Sequence, residues 1–208
     1  MSDTPKNIFT MGYSNLEPGE FLALLARAGV RVVADVRSRP QSARFPQFSQ
    51  AVLENILKAG NMDYTFLGEE LGGRPDDPEA YRDDGRVNYR ARRRSYAFKA
   101  GLDRLITLSQ EKSVAVLCAE EDPLECHRFL MISPELLASG VSPLHIRKDG
   151  RLETQEAAEN RLLEAHGFAG VAVDTLFPQA RAEALEKAYE LQAAKFGFRV
   201  DPAMLQAR

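Results

Sequence analysis

The sequence predicts an α/β fold: a single three-layer domain whose mostly parallel sheet is flanked by helices, followed by a C-terminal helical appendage. Three observations carry this. Apolar, strand-like runs alternate with amphipathic, helix-like runs along most of the chain. Several strand runs are continuously apolar and β-branched, as in "VRVVADVRS", which fits strands covered on both faces. The connections between them run to about a dozen residues or more, the length that parallel neighbours need for a crossover.

The elements follow in order. "NIFTMGYS" is a strand ending in a glycine-containing turn, and "PGEFLALLARAG" has the 3.6-residue period and stops at Gly29, a natural left-handed position. "VRVVADVRS" is the second strand. "SQAVLENILKAG" is an amphipathic helix with Ser49 as N-cap and Gly60 as its end. "MDYTFLGEELGG" is a strand leading into a loop, and residues 72–95 carry Gly, Pro, Asp and Arg without periodicity, as a long excursion would. "YAFKAGLDRLITLSQE" is helical, "SVAVLCAE" is a buried strand, "PLECHRFLM" opens a helix and "VSPLHIRK" is the final strand. Residues 1–150 therefore form the α/β domain. Residues 151–208 form a helical extension packed on it, with "ETQEAAENRLLEAHG" and "FPQARAEALEKAYELQAAKFG" as helices and a connector at 167–174.

Composition narrows the function classes. A net charge of −3 over 208 residues gives no general pull toward nucleic acid or an anionic membrane. No apolar run approaches the ~20 residues of a membrane span. The start "MSDTPKNIF" lacks a signal-peptide pattern, so a cytoplasmic setting is expected. Cys118 and Cys126, the two cysteines of the chain, would then be reduced thiols. The sequence leaves the oligomeric state open.

Chemistry-bearing residues gather after strands. The first strand is followed by Ser14 and Asn15, and the second carries Asp35 and Arg37, then Arg39 and Arg44. Glu70, Gly73 and Arg74 follow the third, and Cys118 and Glu120 the fourth. In open α/β sheets ligands bind outside the carboxyl ends of the strands, where such loops converge. Arg37, Arg74 and Arg128 are candidates for binding an anionic group through their forks of donors. Glu120 is the candidate acid or base, because no capping role claims it. Asp122, Pro123 and Glu125 read instead as a helix start, with Glu125 completing a capping box. That start would put Cys126 and His127 in the first turns of a helix, where a thiol pKa falls and a histidine stays neutral.

No metal or cofactor is expected. No CxxC or HxxxH spacing is present, and adjacent helical residues diverge by roughly 100°, so Cys126 and His127 would not converge on one ion. "RVNYRARRR" could present arginines and tyrosines to a nucleic acid. The acids just upstream, Asp76, Asp77, Glu79, Asp83 and Asp84, offset most of its field.

Together "TMGYSN", "DVRSRPQSARFPQF", "YTFLGEELGGRP", "FKAGLDRL" and "LCAEEDPLECHRFLM" resemble the bacterial domain-of-unknown-function 488 family over roughly residues 8–147. The resemblance implies a compact α/β domain and no particular reaction. It points to Ser14, Asn15, Asp35, Arg37, Pro40, Pro46, Phe48, Leu71, Gly72, Gly73, Arg74, Cys118, Glu120, Pro123, Cys126, His127 and Arg128. Two departures stand out. Tyr13 occupies a place where the family often has histidine, and Ser133-Pro134 interrupts a helix that is usually continuous, which should kink it.

Three functions follow from these residues. The first is an enzyme acting on a small anionic or nucleotide-like substrate, with Arg37, Arg74 and Arg128 as binders and Glu120 or His127 as general acid or base. The second is a noncatalytic ligand-sensing or nucleic-acid-associated module that uses the arginine-rich excursion. The third is a cysteine-dependent sulfur-transfer enzyme with Cys126 or Cys118 as nucleophile, disfavoured because Glu120, Glu121 and Asp122 would repel a thiolate.

Overall fold

Six strands form one sheet in the computed structural model, which describes residues 7–172 and 178–203. Their order is β3-β2-β4-β1-β5-β6. The strands are β1 (Ile8–Gly12), β2 (Val32–Asp35), β3 (Asp63–Phe66), β4 (Val114–Cys118), β5 (Leu144–Ile146) and β6 (Leu152–Thr154). The first five are mutually parallel, and β6 returns antiparallel along β5. The sequence reading ended at β5. It missed β6 because Glu153 and Thr154 run straight into the helix Gln155–Ala165 and read as part of it.

Alternate residues of the inner strands feed two cores, one on each face. Phe9, Met11, Val33, Ala115 and Leu117 pack against Phe21 and Leu25 of α1 (Pro18–Arg27) and Leu53 and Leu57 of α2 (Gln50–Ala59). Ile8, Val32, Ala34, Val114 and Val116 pack on the other face. There they meet Leu102 and Leu105 of the helix Tyr96–Glu111, Phe129, Leu136, and Leu162 of the helix Gln155–Ala165. This is the expected three-layer arrangement of a mostly parallel sheet between helices.

Some local expectations are corrected. Gly29 does take the left-handed conformation, with φ of 71°, but Gly60 does not. Asn61, at φ 54°, makes that turn instead. Ser49 precedes α2 without capping it, because its hydroxyl accepts from the Ser42 N–H at 3.1 Å. The loop expected after β3 contains α3 (Gly68–Leu71), and the excursion is partly ordered as a 3-10 turn, Pro78–Ala80, and α4 (Tyr89–Arg94). After it come α5 (Tyr96–Glu111), α6 (Ser133–Ala138), α7 (Gln155–Ala165), α8 (Ala169–Ala172) and α9 (Pro178–Phe196). α8 falls within the expected connector, whose last residues, 173 and 174, lie outside the described residues, as do residues 1–6 of the N-terminal stretch. No helix among the described residues is long and apolar enough to cross a membrane.

The arginine-rich segment is largely consumed by the fold. Arg92 is buried and donates to the carbonyls of Glu69 and Glu70 at 2.8 and 2.7 Å. Arg90 pairs with Glu186 and Arg93 with Glu135, so α4 fastens α3, α6 and α9 together.

A buried histidine locks β5 to α7. His145 lies between the Thr10 hydroxyl (2.8 Å to Nδ1) and Gln155 Oε1 (3.0 Å from Nε2), with Tyr189 bonded to the same glutamine. The amide oxygen can only accept, so Nε2 carries the proton and Nδ1 accepts from Thr10. Burial, reinforced by Arg128, pushes the imidazole pKa down to about 4. Its stabilisation is therefore complete above the unfolded value of 6.5 and is lost as pH falls toward 4, a change of about 3 kcal/mol. Urea unfolding at pH 7 and pH 4 should show a loss larger by roughly that amount in the native chain than in His145→Gln. Parallel pH dependences would refute the assignment.

Candidate active site

Two loops and one broken helix meet at the carboxyl ends of β2, β3 and β4. Asp35, the last residue of β2, is fully buried and needs a partner. Arg37 supplies it as a fork, with Nε 2.8 Å from Oδ1 and Nη2 2.5 Å from Oδ2. The remaining donor of Arg37, Nη1, reaches the Phe48 carbonyl at 2.8 Å and the Tyr13 hydroxyl at 3.3 Å. Tyr64 donates its hydroxyl to Asp35 at 2.9 Å. Burial opposes the charge on Arg37, but Asp35 and Tyr13 hold its pKa above the ordinary value. Tyr13 stacks on Phe48 with centroids 4.4 Å apart. Asp35 and Arg37 thus shape the wall, with four of the five guanidinium N–H groups of Arg37 bonded within the protein.

The turn after β4 is built differently from the predicted single helix. Asp122 caps as expected, accepting from the Leu124 N–H at 3.0 Å, and Pro123 opens the helix. Only one 3-10 turn follows, Pro123–Glu125, and no capping box closes on Glu125. Cys126 is extended, at φ −130° and ψ 144°, and helical backbone resumes only at His127. The expectation that Cys126 and His127 diverge like helical neighbours is therefore overturned. His127 Nδ1 lies 3.6 Å from Cys118 Sγ and 3.8 Å from Cys126 Sγ. Beyond it, Arg128–Ile132 form a π-helical segment, and the Ser133 N–H reaches back to the Arg128 carbonyl. Pro134, having no N–H to continue an α-helical ladder, sits just past this shift, so the expected kink takes the form of a π-bulge.

The four acids of the turn have separate fates. Glu121 pairs with Arg147 at 3.1 Å and Asp122 with Arg161 at 2.9 Å, while Glu125 is exposed. Burial pushes Asp122 up, but Arg161 and the Leu124 N–H hold its carboxyl far below the usual range. Glu120 alone keeps its carboxylate toward the thiols, accepting from Cys118 Sγ at 3.0 Å. It forms no ion pair among the described residues. Arg128 donates to the backbone carbonyls of Glu120 and Glu121, at 2.6 and 2.8 Å, and so holds the loop rather than the carboxylate.

Electrostatics follow from this packing. Burial, then the neighbouring Cys126, raises the Glu120 carboxyl above its ordinary range. The two thiols separate. Burial pushes Cys126 up, but the Cys118 hydrogen bond, Arg128 and His127 carry it well below the usual thiol value. The Cys126 hydrogen bond and burial raise Cys118. Burial would lower His127, but the Cys126 thiolate raises it. The expectation that His127 would be held neutral by a helix dipole fails with the helix. Its Nε2–H donates to the Val36 carbonyl at 3.0 Å, which turns Nδ1 toward both sulfurs. A methyl on Gly73 would lie 2.7 Å from His127 Cγ, so the loop after β3 must carry glycine to close on the ring.

These groups line one cavity of about 340 Å³, together with Tyr13, Ser38, Arg39, Arg74, Tyr89, Phe196 and Phe198. Of the residues predicted from sequence, Arg37, Arg74, Cys118, Glu120, Cys126 and His127 border it. Asp35 and Arg128 buttress it from beneath. Ser14, Asn15, Arg44 and Glu70 do not line it. Ser14 ties its N–H to the Ala119 carbonyl, Asn15 makes a left-handed turn at φ 62°, Arg44 lies over Phe45, and Glu70 pairs with Arg104. Sequence reasoning did not assign Arg39 a ligand role and missed the aromatic wall. Arg39 follows a strand like the other candidates and was findable on that ground. Phe196 and Phe198, some 70 residues beyond the turn, were not. The segment Phe198–Val200 reaches the site by pairing with residues 85–87 of the excursion.

The class is thus an α/β protein with a thiol- and arginine-lined cavity at the strand carboxyl ends. The family model for Domain of unknown function DUF488 matches residues 17–133, and the chain belongs to that family. Among solved structures, two crystal structures of a DUF442 protein from Shewanella putrefaciens CN-32, a candidate phosphatase, are similar to the chain. They align with 95% of this chain and with 90% and 93% of their own, at 15% identity and TM-scores of 0.39 and 0.37. No curated protein matches.

Proposed function

We propose that the cavity is the active site of an enzyme acting on a small anionic or nucleotide-like substrate. The observation that carries this reading is the pairing of Arg39 and Arg74 at the mouth with Glu120 inside. Both arginines are exposed, line the cavity and form no ion pair among the described residues. Arg74 is kept near the opening by its N–H bond to Ser38 at 2.9 Å and by its guanidinium lying 4.6 Å over the Phe198 ring. These two take the anion-binding role in place of Arg37 and Arg128, which are buried and bonded to Asp35, Phe48 and the Glu120 and Glu121 carbonyls. Glu120 is the general acid or base, since no arginine neutralises it. A volume of about 340 Å³ admits a small molecule, at the lower end of ligand pockets. In the same reading the C-terminal extension supplies a wall of the site through Phe196 and Phe198. A reducing, cytoplasmic setting belongs to it too, because the cavity is furnished with two free thiols.

Calorimetric titration with inorganic phosphate and with a nucleoside 5′-monophosphate tests this. The native chain should bind at least one of them. Arg39→Ala and Arg74→Ala should each weaken that binding about 10- to 100-fold, the worth of a hydrogen bond to a charged group. Glu120→Gln should leave binding within a few-fold and lower turnover of any phosphate ester or nucleotide processed by about 10²–10⁴. No binding of either anion would sink the reading.

A further inference from the structure

We infer that Cys118, Cys126 and His127 form a binding site for a Zn²⁺-class divalent transition metal, with a fourth position open to the cavity beside Glu120. The three ligand atoms lie within 4.8 Å of one another. With metal–sulfur bonds of about 2.3 Å and metal–nitrogen bonds of about 2.0–2.1 Å, tetrahedral angles place sulfur and nitrogen about 3.6 Å apart. The two sulfur–nitrogen separations here are 3.6 and 3.8 Å. The two sulfurs, which lie within 4.8 Å of each other, would have to settle at about 3.8 Å, so one ion fits once the thiols close on it by up to about 1 Å.

The surroundings match a metal site as well as the distances do. His127 uses Nε2–H on the Val36 carbonyl, the outer-shell bond that fixes a metal-binding imidazole and presents its other nitrogen. The Arg128 backbone N–H points at Cys126 Sγ at 3.5 Å, a contact suited to thiolate sulfur. Two thiolates and one imidazole are a donor set that favours zinc over magnesium or calcium. All three residues and Glu120 border the cavity, so the remaining coordination position faces a ligand space rather than packed core. Three protein ligands with one open position define a catalytic arrangement, whereas structural sites are closed by four. Glu120, 3.0 Å from Cys118 Sγ, is placed to accept a proton from a water bound there. This last role rests on the function proposed above. The metal site itself does not.

The experiment uses the full chain, reduced and stripped with a chelator, then titrated with Co²⁺ followed by Zn²⁺. One equivalent of Co²⁺ should give a thiolate-to-cobalt charge-transfer band in the near ultraviolet and intense visible bands of a tetrahedral site, and Zn²⁺ should erase both. Cys118→Ser, Cys126→Ser and His127→Gln should each weaken binding more than about 100-fold, beyond the loss of an outer-shell partner, with folding checked by circular dichroism. Glu120→Gln should keep the spectrum. The native spectrum decides the matter even where a variant fails to fold. Absence of the charge-transfer band in the reduced native chain overturns the inference, and so does a spectrum that a folded His127→Gln leaves unchanged. Phosphate titration of stripped and loaded protein separates the two proposals. Phosphate binding without metal uptake removes the metal site alone, and metal uptake without anion binding by either form removes the proposed function alone.

Discussion

Arg37→Met should lower the free energy of unfolding by about 3–5 kcal/mol, the cost of stranding a buried charge when its partner is removed. Asp35 is fully buried and takes three donors from Arg37, namely the backbone N–H, Nε and Nη2. Only the backbone N–H of residue 37 and the Tyr64 hydroxyl, both uncharged donors, would remain to satisfy it. The Phe48 carbonyl would lose its guanidinium donor as well. Asp35→Leu combined with Arg37→Met should cost less than the sum of the two single changes, with a coupling of about 2 kcal/mol or more. Urea unfolding of the four members of that cycle gives the number. Additive losses would show that the pair is not the unit described here.

Gly12→Ala should be comparably damaging, by about 3–5 kcal/mol, and should abolish anion binding in whatever fraction folds. Gly12 ends β1 opposite Cys118 of β4. A methyl built on it would lie 1.6 Å from the Glu120 carbonyl oxygen and 3.0 Å from Arg128 Nη1. That oxygen is an acceptor for the buried Arg128 guanidinium, at 2.6 Å. The loop could make room only by breaking this bond and carrying the Glu120 side chain out of place. Unfolding measurements and phosphate calorimetry on the same preparation would check both halves. A Gly12→Ala chain of native stability and affinity would contradict the close approach on which the site is built.

Much of this architecture was legible because its signals are local and repeated. The continuous runs of β2 and β4 and the 3.6-residue period of α1, α2 and α5 announce a covered parallel sheet. The rule that loops converge at strand carboxyl ends then brought Cys118, Glu120 and Arg74 to one place. What failed depended on backbone that breaks its own pattern or on partners distant in sequence. Cys126 interrupts a helix that capping residues promise, so the meeting of two thiols with His127 was read as a divergence. Nothing in the string shows that Asp35 holds Arg37 or that the Glu120 and Glu121 carbonyls hold Arg128. The same holds for the arginines of α4, whose partners Glu135 and Glu186 are far along the chain. β6 was hidden because its last residues lead directly into α7.

The claim on which the rest depends is that the loops after β2, β3 and β4 share one ligand cavity. Amide resonances of the ¹⁵N-labelled chain, followed during a titration with inorganic phosphate, test it most directly. Saturable shifts should concentrate at Ser38 and Arg39, at Gly73 and Arg74, and along the turn from Ala119 to His127. Shifts confined to Tyr89–Arg94 and its surroundings would place anion binding on the arginine-rich helix instead and contradict the account.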